Sequence, residues 1–229
     1  MFSIKKKLLV AGAILAFAGS ASAVPVTYLG ADDGVSSLAQ MVNSQSALSD
    51  FLAVTGPLNV FDFESPIPAD LTVTGGFFNA GPNGTCGALC GFNTTSAGSG
   101  FQQLNGGSVT FSFANPLDAF GFYVNGLQTN AVGQQTIEYV DGFGFTQSIN
   151  FPDAINGGGA FVGFVDFGQQ ISSITFNASN DILGFDDLRF GRSESDPSGE
   201  GSVPVPGTLA LLAIGMLGLG VGAKRKRKN

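Results

Sequence analysis

The chain has 229 residues, a formal net charge of −7, 12% charged residues and 22 phenylalanines, but no histidine and no tryptophan. Its cations sit at the two ends: between Val24 and Ser202, Arg189 and Arg192 stand against all 17 acidic residues, a formal charge of −15. Such a surface excludes nucleic acid as a partner, because phosphate binding needs clustered cations. Histidine triads and histidine-ligated zinc are excluded, and so are lysine Schiff bases, since no lysine lies outside the termini.

At the N terminus Lys5, Lys6 and Lys7 precede an apolar run from Leu8 to Ala18, and Ala21-Ser22-Ala23 follows the small-x-small rule. Residues 1–23 therefore read as a secretory leader cut by signal peptidase after Ala23, with Ala21 and Ala23 as the recognition pair and Val24 as the mature start. The alternative, an uncleaved anchor, conflicts with so short an apolar run. In the next segment, residues 24–58, Val35, Leu38, Val42 and Leu52 follow a loose helical spacing, with Leu48 and Phe51 near the same stripe. One short amphipathic helix is predicted there, packed over the end of a sheet and stopped at Gly56-Pro57.

From Asn59 the period changes to two, and residues 59–191 read as the sandwich domain. Phe61 and Phe63 share one face, Asp62 and Glu64 the other, and Leu71 and Val73 mark a brief second strand. A long loop is expected from Gly75 to Gly107, with Phe77-Phe78 as a weak strand within it. Cys86 and Cys90 fall in this loop, and in an oxidising compartment their spacing predicts a local structural disulfide. Beyond it Val109, Phe111 and Phe113 alternate with Ser108, Thr110 and Ser112. Phe120, Phe122 and Val124 alternate with Ala119, Gly121 and Tyr123, and Asn125-Gly126 reads as a turn. Further strands are predicted at 136–140, 143–149, 160–167, 171–176 and 183–190, with Asp141-Gly142 as a hairpin connection. Eight or nine strands with glycine-rich turns and little helix indicate an all-β, jelly-roll-like sandwich. The phenylalanines read as core, whereas Tyr123 and Tyr139 carry a hydroxyl that tolerates water and are the candidate sugar platform.

Residues 192–202 form an acidic linker. The final segment, 203–229, has three parts in order: Val203-Pro204-Val205-Pro206, an apolar stretch from Gly207 to Ala223, and the cluster Lys224-Arg225-Lys226-Arg227-Lys228. The stretch is at the short end of the ~17–25 residues that cross a bilayer as one helix, and the cations resist passage. This arrangement resembles the PEP-CTERM sorting signal, with Val205 standing where that motif usually has glutamate. The resemblance implies recognition by an exosortase-type membrane protease and export through the inner membrane of a Gram-negative, exopolysaccharide-producing bacterium. A transient stay in that membrane would precede display at the cell surface or release. A plain tail anchor is the alternative.

Two acidic pairs stand out, Asp62 with Glu64 and Asp186 with Asp187. The outer strands of a jelly roll return close to one another, so these pairs are expected to meet. Carboxylates and backbone carbonyls suit calcium. The pieces Phe61-Asp62-Phe63-Glu64 and Phe185-Asp186-Asp187-Leu188 look like the ends of lectin-like and carbohydrate-binding jelly rolls with a structural calcium, which implies Glu64 and Asp187 as first ligands. Adjacent strand residues point to opposite faces, so Asp186 and Asp187 require a bulge to share a site. Three functions follow from these readings. The first is a non-catalytic exported protein associated with extracellular polysaccharide. The others are a structural surface protein without a discrete ligand, and a carboxylate-dependent glycoside hydrolase.

Overall fold

Phenylalanine at alternate positions decides the architecture. In β7 (Ser108–Leu117), Val109, Phe111 and Phe113 are buried while Ser108, Thr110 and Ser112 are not, and β12 (Ile171–Asn177) repeats the pattern with Ile171, Ile174 and Phe176. In the computed structural model, which describes residues 24–194, these strands belong to a five-stranded antiparallel sheet. Its order is β10 (Thr146–Asn150), β9 (Thr136–Val140), β12, β7, β3 (Leu71–Thr74). A seven-stranded antiparallel sheet stacks on its apolar face. That sheet runs β1 (Val26–Asp32), β11 (Gly158–Val165), β8 (Ala119–Leu127), β13 (Ile182–Gly191), β6 (Phe101–Asn105), β4 (Phe77–Asn79), with β2 (Asn59–Phe61) also pairing β13.

The two sheets close over one aromatic core. Phe122 touches Phe111, Phe120, Phe151, Phe176 and Phe185 at ring-centroid distances of 5.4–6.5 Å. Each buried ring contributes roughly 2–3 kcal/mol from its area alone. The seven-stranded sheet is covered on its other face too, so all nine residues of β8 and all eight of β11 are buried. That second layer is α1 (Val42–Thr55), which places Phe51 against Tyr28 and Phe161. Gly121 makes the close approach possible, since a β-carbon there would collide with the rings of Phe161 and Phe51.

The helix forms where the apolar spacing predicts one, and it lies over the broad face of the sheet. The strand β1 just before it is an addition to the sequence reading: Val26-Thr27-Tyr28-Leu29 pairs with β11, so residues before 59 contribute to the sandwich. The stretch expected as one long loop holds three strands, β4, β5 (Asn83–Phe92) and β6. Asn125-Gly126 is not a turn. β8 continues through it to Leu127, because the Asn125 amide accepts from Phe92 N–H at 2.6 Å and donates to Phe92 C=O at 2.9 Å, clamping β5 onto the sheet. A one-turn helix, α2 (Thr129–Val132), leads from β8 to β9. The signal-peptide, membrane-helix and sorting-tail expectations fall on residues 1–23 and 195–229, outside the described residues.

Candidate functional site

Pairing of β2 with β13 places Phe61 opposite Leu188, and this brings Asp62 and Glu64 towards Asp186 and Asp187 in the middle of β13, between its pairings with β6 and β2. The bulge that the sequence requires is present. The β8–β13 register shifts between Asp186 and Arg189, and Asp187 takes a φ of 51°, so successive carboxylates both face the loop 93–100. Asp186 Oδ2 accepts from Thr94 N–H (2.6 Å), Thr94 Oγ1 (2.9 Å) and Thr95 N–H (3.1 Å). Asp187 meets Thr95 Oγ1 and Thr94 Oγ1 at 3.3 and 3.4 Å. Glu64 Oε1 holds the far side of the same loop, accepting from Ser99 N–H, Gly100 N–H and the Asn93 amide at 2.6–2.9 Å. Asp62 Oδ1 accepts from Glu64 N–H at 3.1 Å.

Burial pushes the Asp186 carboxyl up to about 7, the charge of Asp187 adds to this, and the N–H bonds from Thr94 and Asp187 oppose it. Asp187 is raised as well, by burial first and by Asp62, with Arg189 working against the rise. At this bulge Arg189 and the Thr94 and Thr95 donors offset only part of the cost of burying two adjoining carboxyls, so both hold a proton more readily than a free carboxyl does. Among the described residues, no group of three or more acidic or cysteine side chains is arranged to hold a metal ion. Asp186 is fully buried, which keeps it from reaching a glycosidic oxygen.

The tyrosines do not form a platform. Tyr123 is 2% exposed beneath α1, against Phe161, and burial pushes its hydroxyl up to about 12. Tyr139 is 3% exposed, stacks on Phe164 and donates to Asp166 Oδ2 at 2.8 Å. Tyr139 points inward because Ile137, of like parity, lines the inter-sheet core, whereas Tyr123 faces the other side of its sheet and is buried there under α1. Cys86 and Cys90 form the disulfide, with Cα atoms 5.4 Å apart, and it closes the tip of β5 while Asn93 N–H bonds Pro82 C=O at the base.

The open surface lies elsewhere. The outer face of the five-stranded sheet is a lattice of hydroxyl and amide groups with one carboxylate, Glu138, among them. One row crosses all five strands: Thr74 opposite Thr110, Thr110 opposite Thr175, Thr175 opposite Glu138, and Glu138 opposite Ser148. Thr110 and Thr175 share a hydrogen bond of 2.9 Å. A second row carries Ser108, Asn177, Thr136 and Asn150. At one end of this sheet the β9–β10 turn exposes Phe143 by 60% and Phe145 by 54%, and Asp141 Oδ1 fixes the turn by accepting from both their N–H groups at 2.9 Å. The sequence reading assigned phenylalanine to the core. The signal that separates these two is their place inside an Asp-Gly turn, where no strand carries a ring inward.

No curated protein matches the chain. Among solved structures, the xylan-binding domain CBM22-1 from Paenibacillus barcinonensis is 15% identical over 61% of this chain and 97% of its own, with a TM-score of 0.38. A family 29 carbohydrate-binding module complexed with mannohexaose gives 13%, 59%, 94% and 0.34 in the same order. The catalytic unit of a GH87 α-1,3-glucanase from Streptomyces thermodiastaticus is 18% identical at a TM-score of 0.36, with 64% of this chain covering 29% of that one. Likenesses at this level carry no statement about a ligand. The family comparison is specific: residues 202–227 match the PEP-CTERM protein-sorting motif. The chain thus carries a C-terminal PEP-CTERM signal, which implies export, membrane-associated sorting to the cell surface and processing by an exosortase-type membrane enzyme.

Proposed function

We propose that this is a non-catalytic surface or matrix protein of a Gram-negative bacterium that associates with exopolysaccharide through the outer face of its five-stranded sheet. The observation that carries the reading is the uncovered lattice of Thr, Ser and Asn, with Glu138 among them, across five strands, beside a second sheet that is covered on both faces. Hydroxyl and amide groups exchange hydrogen bonds with sugar hydroxyls, and the Phe143 and Phe145 rings offer apolar faces for pyranose C–H groups. The sandwich is jelly-roll-like in this reading, and the apolar stretch 207–223 holds it in the inner membrane as a helix until the exosortase-type protease acts. Signal peptidase acts first, after Ala23.

Calcium belongs to the same reading as a structural ion. Glu64 and Asp187 would be its first carboxylate ligands at the β13 bulge, with Asp62 and Asp186 beside them and backbone carbonyls completing the shell, and its charge would offset the adjoining carboxylates. The site residues are tested separately. Thr110→Arg lays a long side chain across the hydroxyl row and is expected to weaken retention on the host's polymer roughly fivefold, about 1 kcal/mol. Unchanged retention by a folded T110R protein would remove this face from the contact.

A further inference from the structure

A sheet edge displays unpaired N–H and C=O groups, and natural proteins keep such edges short, charged or covered. The edge strands β4, β3 and β10 have three, four and five residues. β1 is different. It has seven residues, ends the larger sheet with β11 as its partner among the described strands, and carries no charge before Asp32. Val26 and Leu29 are 46% and 40% exposed on it. Beside it runs α1, held at its start by Asp32, whose carboxylate accepts from Asn43 N–H and Ser44 N–H at 3.0 Å each, and by the Gly30 and Ala31 carbonyls, which accept one bond each from the Ser44 hydroxyl and the Asn43 amide and keep a second lone pair. Strand and helix enclose an open groove of about 370 Å³, lined by Tyr28, Leu29 and Gly30 on one side and Asn43, Ser46 and Asp50 on the other.

We propose that a second copy of this chain fills the groove, its β1 adding antiparallel to the first about a two-fold axis at Leu29. The edge is self-complementary in that register. Leu29 faces the partner's Leu29, Tyr28 faces the partner's Gly30, and Val26 faces the partner's Asp32. A ring covers a glycine and no charge meets a charge. The same axis sets α1 antiparallel to its copy. Positions 43, 46, 47 and 50 lie on one helix face, so Asn43 meets the partner's Asp50 and Ser46 meets the partner's Ala47. Two independent elements thus share one axis: Gly30 lies against Asn43 and Ala47, and the Tyr28 ring lies against Phe51, which places Leu29 beside the middle of the helix. The chain's own linker is the poorer occupant, since Pro197 lacks an N–H for the ladder. Pairing joins the two larger sheets and leaves both hydroxyl faces open, so one dimer offers two contacts to a polymer. The inference does not rest on the proposed polysaccharide contact.

The test uses the full chain, purified in a sugar-free non-ionic detergent. Sedimentation equilibrium is expected to show a dimer, and L29K, which sets like charges face to face on the axis, is expected to weaken it by about tenfold or more. Under mild oxidation L29C is expected to give a reducible cross-linked dimer, whereas V140C, exposed on the other sheet, gives none. A monomer at every concentration overturns the proposal, and so does a dimer that L29K leaves intact. Should L29K fail to fold, cross-linking of L29C no stronger than that of V140C overturns it alone.

Discussion

Asp186 gives this fold a pH dependence of unusual sign. Its carboxyl rises from an ordinary value of 3.8 to about 7, first because it is buried and then because Asp187 adjoins it. A folded-state pKa above the unfolded one means that the folded protein binds the extra proton between these limits. The contribution is therefore complete below about pH 4 and is lost as pH rises through about 7, to a total of about 4 kcal/mol. Asp166, Asp181 and Asp187 are shifted the same way by burial, while the bonds from Ser44 and Asn43 hold Asp32 low and act in the opposite sense. Asp187→Asn isolates the pair. Asparagine tolerates the left-handed φ of 51°, so the bulge survives while the neighbouring charge goes. Urea unfolding in EDTA, followed by circular dichroism from pH 5 to pH 8, is expected to show stability falling with pH in the wild type. D187N should show a shallower slope and gain about 1 kcal/mol at pH 8. Calcium should flatten the wild-type slope, because a cation favours the ionised form. Equal slopes in the two proteins, or wild-type stability that rises across this range in EDTA, would refute the reasoning.

Three further outcomes follow from particular contacts. Asn125→Ala strands the buried N–H and C=O of Phe92, and a loss of about 2–4 kcal/mol is expected in denaturant unfolding. Replacing Cys86 and Cys90 together by serine opens a very short ring, so the loss should stay near 2 kcal/mol, read as a modest fall in melting temperature. Phe143→Ala combined with Phe145→Ala removes two exposed rings. The melting temperature should change little while polymer retention falls, and a large drop in melting temperature would place these rings in the core instead.

The five-stranded sheet was the legible part of this chain because only one of its faces is buried. Ile137 and Tyr139 alternate with Thr136 and Glu138, and β9 lies where alternation predicts it. The seven-stranded sheet is covered on both faces; β8 still alternates Phe120, Phe122 and Val124 with Ala119, Gly121 and Tyr123, but nothing in that pattern marks the second face as covered, and little can be read in β5, rich in Gly and Cys. β6 hides in the same way, since its buried Gln102 and Gln103 are satisfied by Gly75 C=O and by Thr85 and Asn105. Asn125-Gly126 misled because a turn sequence was used for a side-chain clamp on a distant strand. At the acidic bulge of β13, the meeting of the two pairs and the need for a bulge could both be argued from the residues. The loop 93–100 could not, because most of its contacts with Asp186 and Glu64 run through backbone N–H groups that any sequence supplies, with only Thr94 and Asn93 adding side-chain donors. Tyr139 fails as a platform because strand parity turns its ring into the core, and Tyr123 because α1 covers the face it occupies, which alternation along β8 does not reveal.

The central claim is contact with the host's extracellular polymer, and co-sedimentation of residues 24–202 with that polymer tests it most directly. The assay is run in calcium and in excess EDTA, with circular dichroism on each sample to show that the fold is intact. The account predicts retention in calcium that Thr110→Arg weakens. A folded protein that stays in the supernatant under both conditions would contradict it and leave a structural surface protein in its place.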